Sequence, residues 1–310
     1  MVTNGNEYSK CFAKYLKRAY MADPCKVLPN AFWKTRDRLP GLRCTYCYAG
    51  DAGEAGKAGN ERSGGGASSE SGAVAELQGW SQDELELHVL WNESRQYDPS
   101  LRQKLERAGF LIIHGDYMAS DDASISDTSR DEVARLNRRQ YRLAWPYFRL
   151  KHDHQYIAPY ALPEGFWIKD SSVVADSVAD SVEFAEISDF IGRCYRDMHP
   201  SPEAVESWTK YPVFESNLWI WIMDHNVPAA LGIAEFDGSV PEGSLEWIQV
   251  LPEYQGRGLG KALVLELLNR LKERAAFTTV SGEVDNVTNP ERLYRSCGFE
   301  GDDVWWLLRK

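Results

Sequence analysis

The chain has 310 residues and a formal net charge of −11, long enough to bury a sizeable core and best divided into two domains. Its acidic balance disfavours nonspecific binding to nucleic acid or anionic membrane, and no apolar run reaches the roughly eighteen residues that would span a bilayer. No apolar signal-peptide core lies near Met1, and Cys11, Cys25, Cys44, Cys47, Cys194 and Cys297 are too scattered for a disulfide framework, which predicts reduced thiols and a cytoplasmic setting.

Residues 1–48 read as an N-terminal helical segment. Tyr8, Cys11, Phe12, Tyr15, Leu16, Ala19 and Tyr20 recur at helical spacing with Lys10, Lys14, Lys17 and Arg18 among them, the pattern of an amphipathic helix packed on the body. Cys44 and Cys47 lack a second Cys-x-x-Cys or a His pair nearby, so no metal is expected there. Residues 49–75 turn to Gly, Ala, Ser and Glu. Little in them can be buried to offset ordering entropy, and they read as a flexible insertion.

Residues 76–162 form a smaller α/β region. Positions 85–91 alternate as a strand, 99–108 read as a short helix and 109–113 as another strand, with a soft patch over 120–128. Ser129 and Glu132 make a capping-box pattern that opens a helix, which Trp145-Pro146 is expected to stop. His152 and His154 follow; with no third ligand at a telling spacing, they read as core-edge or solvent-facing histidines.

The last segment, 163–310, opens with a short strand at 166–168. Helices follow over 182–195 and from Ser201-Pro202, where Ser caps and Pro takes the first helical position. Residues 218–223 are a strand, Val227-Pro228 a turn, and 230–236 the hairpin partner. The strand 245–250 then leads to Gln255-Gly256-Arg257-Gly258-Leu259-Gly260-Lys261. Beyond it Leu259, Leu263, Leu267 and Leu271 recur every four residues, a buried helical stripe. Another strand (278–284), a short helix through Leu293-Tyr294, and a closing strand (304–308) complete the chain.

The glycines thus sit on a strand-to-helix turn, where backbone without Cβ atoms points N–H groups at an anion and the helix dipole favours negative charge. A phosphate fits that demand. A Walker A loop would need a glycine where Gln255 stands and Ser or Thr where Ala262 stands. A dinucleotide fingerprint would need a glycine at Lys261. Neither pattern is met. Gln/Arg-x-x-Gly-x-Gly, filled by Gln255, Gly258 and Gly260, is met, and here the sequence resembles the GNAT superfamily of N-acetyltransferases. A second stretch, Asn289 to Phe299, is similar to that family's Asn…Leu-Tyr…Gly-Phe motif, with Asn286 and Asn289 both near the position of the family's asparagine.

The resemblance implies an α/β (α+β) fold with a mixed, mostly antiparallel sheet flanked by helices. It implies acetyl-CoA as co-substrate and no metal, with acetyl transferred to a primary amine by direct attack in a ternary complex. The pyrophosphate would meet the backbone of Gln255, Gly256, Arg257, Gly258, Leu259, Gly260 and Lys261. Ile248 and Val250 would pair with the pantetheine arm, and Asn289 would face the cofactor. Tyr294 sits where the family places the proton donor to the leaving thiolate, and Glu246 where many members place the base. Simple strand alternation puts Glu246, Ile248 and Val250 on one face, and Glu235 on the neighbouring strand is the reserve base. A small polyamine-like or aminoglycoside-like amine is the first expected acceptor, a protein N-terminus or lysine the second. The alternative is a non-catalytic acyl-CoA sensor of the same fold. Leu105 to Phe110 echoes Tyr294 to Phe299 and suggests a degenerate second GNAT-like unit in the first half. Oligomeric state is not written in the sequence.

Overall fold

The computed structural model describes residues 6–36, 42–48, 74–81, 86–92, 109–115, 143–171, 181–195 and 198–310. The chain divides into two compact units. One comprises Met1–Pro29, Lys34–Tyr147 and Asp303–Lys310, the other Asn30–Trp33 and Phe148–Asp302. Most of the insertion 49–75, the helix 99–108, the soft patch 120–128 and the helix opened at Ser129 lie outside the described residues.

In the first unit α1 (Asn6–Ala22) buries Leu16 and Tyr20, as its spacing predicts. Asp23 caps α2 (Pro24–Val27) by accepting from the Lys26 N–H at 3.4 Å, with Pro24 in the first turn, and α3 (Phe32–Arg36) follows in the chain. The strands β1 (Leu42–Tyr48), β2 (Val74–Ser81), β3 (Glu86–Asn92), β4 (Phe110–His114) and the closing β11 (Glu300–Arg309) follow one another in that order. Neighbours pair antiparallel except β3 and β4, which run parallel. Cys44 and Cys47 both fall in β1. His114 bonds Asp303 at 2.9 Å and Trp305 donates to the Cys25 carbonyl at 2.7 Å. Sequence reading missed β1 and β2 because they flank the low-complexity stretch.

Trp145-Pro146 does not stop a helix; it lies inside strand β5 (Leu143–His152). The rule that pushes the residue before proline out of the helical region also suits it to a strand. From β5 onward the second unit adds β6 (Phe166–Asp170), α4 (Ser181–Cys194), α5 (Pro202–Trp208), β7 (Trp219–Asp224), β8 (Val227–Asp237) and β9 (Glu242–Val250). Then come α6 (Leu259–Leu271), β10 (Phe277–Glu283) and α7 (Pro290–Ser296). Its sheet runs β5-β10-β9-β8-β7-β6. Strands β6 to β9 pair antiparallel and β9–β10 parallel, so the sheet is mixed, mostly antiparallel and flanked by helices.

Val227 and Pro228 belong to β8, not to the turn, which is His225-Asn226. The ladder absorbs the proline through a register shift between Ile222 and Met223, where an irregularity costs least because proline has no N–H to offer.

Alternation along β7 sends Ile220 and Ile222 to one core and Trp219, Trp221 and Met223 to another. The first core lies under α6 and the second under α4 and α5. Gly232 lets α6 approach: a Cβ there would stand 3.1 Å from Leu263 and 3.2 Å from Leu267.

A polar network closes the base of the sheet. Glu242 is 1% exposed and Arg149 2%, and they pair at 3.3 Å. Glu242 also accepts from the Thr279 hydroxyl and, at 3.0 Å, from the Phe32 N–H. Arg149 donates to the Ser281 hydroxyl at 3.0 Å. This network and the tilted Trp33–Tyr211 ring contact, 4.7 Å between centroids, hold Asn30–Trp33 in the second unit.

Candidate active site

The glycine loop stands where its sequence puts it. After β9 a single 3-10 turn, Pro252–Tyr254, leads to Gln255, whose side chain donates back to the Val250 carbonyl at 3.2 Å. Gly256 and Gly258 adopt φ of +77° and +81°, a region costly for any residue with a Cβ. Nothing lies within 4 Å of where their Cβ atoms would be. Gly258 is the N-cap of α6 and has no side chain to cap it. The first helical bond is Ala262 N–H to the Gly258 carbonyl. The N–H groups of Leu259, Gly260 and Lys261 therefore meet the general condition of a helix start, donors without an intrahelical partner. Gly260 serves packing: a Cβ would sit 3.2 Å from Leu293. Arg257 folds back, donating to the Glu253 carbonyl at 3.3 Å with its guanidinium 5.1 Å from the Tyr254 ring centroid. Lys261 is exposed.

Beside the loop the sheet opens. Strands β9 and β10 pair only from Glu242 opposite Phe277 to Leu245 opposite Val280. Among the described residues, Trp247 to Val250 of β9 pair with β8 and not with β10.

At the point of divergence β9 bulges. Ile233 pairs with Trp247 and Ala234 with Leu245, so Glu246 is the extra residue. This corrects the alternation expected from sequence. Leu245, Ile248 and Val250 all pack on the α6 core, whereas Trp247 packs on the other. An odd spacing from Leu245 to Ile248 on one side requires the extra residue between them. The even-number rule therefore does not carry across Glu246 and cannot group it with Ile248 and Val250. Glu235 on β8 is buried.

Tyr294, on α7, is 7% exposed and packs against Phe148 and Phe299, with centroids 6.1 and 5.8 Å away. Burial above all, and then Tyr195, Cys297 and Glu246, push its pKa well above that of a free phenol. Its proton is held at every physiological pH.

Asn289 caps α7 from φ +47°, its side chain accepting from the Arg292 N–H at 3.4 Å. Asn286 accepts from the N–H and hydroxyl of Thr288 at 2.9 and 2.7 Å. Both side-chain oxygens are engaged in their own turn. His152 is buried and His154 bonds Thr278 at 2.7 Å and the Ala275 carbonyl at 3.1 Å. They are core-edge residues, and burial lowers the pKa of each.

The fold thus sets a split sheet beside an uncapped, glycine-opened helix start. Residues 184–299 match the model of the Acetyltransferase (GNAT) family, and that part of the chain belongs to it. No curated protein matches the sequence significantly.

Solved structures share the fold. A GCN5-related N-acetyltransferase from Sphaerobacter thermophilus is 14% identical with a TM-score of 0.52, over 76% of this chain and 80% of that one. A GNAT-family acetyltransferase from Colwellia psychrerythraea is 11% identical with a TM-score of 0.52, over 97% of each. A tandem GNAT protein from the clavulanic acid biosynthesis pathway is 13% identical with a TM-score of 0.51, over 100% of this chain and 96% of that one.

Proposed function

We propose that the protein transfers acetyl from acetyl-CoA to a primary amine within a ternary complex. The observation that carries this reading is the adjacency of two sets of backbone groups, those at the start of α6 and those of β9 from Trp247 to Val250, which among the described residues pair with β8 and not with β10. A pyrophosphate fits the first, since N–H donors converge there at the positive end of a helix and the glycines leave open space in front. An extended amide-bearing arm fits the second, where it would pair with Ile248 and Val250 as a strand does.

Acetyl-CoA supplies the acetyl group: its C–S bond breaks, an amide C–N bond forms, and one amine proton departs as the thiol gains one. Gln255 to Lys261 hold the phosphates, with Lys261 adding charge. Glu246 receives the proton the attacking amine must lose. Tyr294 holds a proton that its surroundings keep on the phenol oxygen and delivers it to the leaving sulfur. No nucleophile of the protein is needed; Cys297 is buried, with its thiol pushed up to about 11.

The first half reads as a degenerate GNAT-like unit, making the chain a tandem of 76–162 and 163–310. The full-length likeness to a tandem protein supports this. A cytoplasmic setting fits the free thiols of Cys25, Cys194 and Cys297. The test is thiol release from acetyl-CoA over a panel of amines. Amine-dependent release supports the enzyme, and acetyl-CoA binding without release from any amine would make the protein an acyl-CoA sensor.

A further inference from the structure

The two sides of β9 differ in chemistry. Toward α6 it offers Ile248 and Val250; toward α4 and α5 it offers Trp247. Trp247 lies parallel to Trp208 of α5, with centroids 5.2 Å apart and planes 17° apart. Tyr195, just after α4, stands edge-on to Trp247 at 6.3 Å and 77°.

These rings are not simply core. Trp219 and Trp221 of the same cluster are 1% and 2% exposed, which is how a sealed indole sits in this sheet. Trp208 and Trp247 are only half-buried, and Tyr195 is 36% exposed. Trp247 is also the chain neighbour of the bulged Glu246. An open aromatic surface therefore lies beside Glu246 in the chain, on the side of β9 away from Ile248 and Val250.

We propose that Tyr195, Trp208 and Trp247 form the wall on which the acceptor lies, and that the acceptor is a primary amine carried on a flat aromatic body. This rests on the acetyltransferase reading above. A planar ring extends the existing Trp208–Trp247 stack. The ammonium it carries finds the Glu246 carboxylate and the π faces beside it. A polyamine needs carboxylates spaced along its length, and an aminoglycoside needs a dense set of hydrogen-bond partners; three aromatic rings supply neither. The aromatic wall thus displaces the polyamine and aminoglycoside expectation.

The test compares tryptamine and 2-phenylethylamine with spermidine and kanamycin, by thiol release from acetyl-CoA. It uses the full chain and its Tyr195→Leu and Trp247→Leu variants, with acetyl-CoA affinity measured by calorimetry on the same samples. The aryl amines should exceed the others in kcat/KM by about tenfold or more, and each substitution should raise their KM about tenfold while leaving acetyl-CoA affinity within about twofold. If Trp247→Leu does not fold, the more exposed Tyr195→Leu decides. Preference for spermidine or kanamycin would overturn the proposal and leave the acetyltransferase standing. Aryl-amine KM values unmoved by substitution, or no aryl amine accepted by a protein that binds acetyl-CoA, would have the same consequence. Failure of the unsubstituted protein to bind acetyl-CoA would remove the underlying reading and this one with it.

Discussion

Leu245 stands opposite Val280 in the last pair that β9 makes with β10, and the next residue, Glu246, is the bulge of the same strand against β8. The opening of the sheet and the displacement of the carboxylate are therefore neighbouring events in the chain. One irregularity puts Trp247 on the face opposite Leu245 and places Glu246 directly after the last β9–β10 pair.

Replacing Tyr294 by Phe isolates the proton. The ring packs against Phe148 and Phe299, so its apolar contacts survive and the urea midpoint should barely move. Loss of general-acid assistance should lower kcat by about 10²-fold or more. A kcat within twofold of the unsubstituted protein would take Tyr294 out of the reaction and leave it a packing residue.

Glu246→Gln separates base from bystander by its pH dependence. An amine acceptor that must shed its own proton reacts better as pH rises, so the variant should lose most kcat/KM at low pH and recover toward high pH. The loss at its greatest should be on the order of 10²-fold. A uniform loss across the pH range would mean that Glu246 only binds the cation, and an unchanged profile would move the role elsewhere.

Much of this site was legible in the sequence, and the part that was not has a physical reason. The loop could be read because its glycines, the preceding strand and the leucine stripe of α6 are all local signals. The face of Glu246 could not, because the bulge exists only in register against β8. The contact of Phe32 with Glu242 spans 210 residues, and no periodicity reports such a pairing. At Trp145-Pro146 the proline signal was real, but what it excludes is helix at the preceding residue, and extended backbone satisfies it as well as a turn does. The aromatic wall was visible as separate Trp and Tyr residues, and only the packing of α5 on β9 assembles them.

The Asn30–Trp33 segment should matter to the stability of a domain whose sequence motifs begin far downstream. Glu242→Ala leaves Arg149 buried without its carboxylate partner and removes the acceptor for Phe32. Breaking a buried pair in this way should cost about 3–5 kcal/mol, read from the urea midpoint. A cost below about 1 kcal/mol, the range of exposed pairs, would show that the network does not hold the strap.

The buried His152 and half-buried His154 should make stability depend on pH. Their folded-state pKa values lie below the unfolded value because burial disfavours the charged ring. The unfolded chain therefore binds more protons as pH falls below about 6.5, and stability declines from there until the folded-state values are passed. The urea midpoint should drop between pH 7.5 and 5.5, and His154→Asn, which tolerates the φ of +63°, should flatten that drop. A slope unaffected by the substitution would exclude His154 as a source.

The most direct test of the account is calorimetric titration of the protein with acetyl-CoA, alongside Gly258→Glu, which sets a carboxylate in the open space before the α6 N–H groups. The account predicts micromolar binding by the protein and none by the variant. Equal binding by both would place the phosphates elsewhere, and no binding by the unsubstituted protein would contradict the acetyltransferase reading itself.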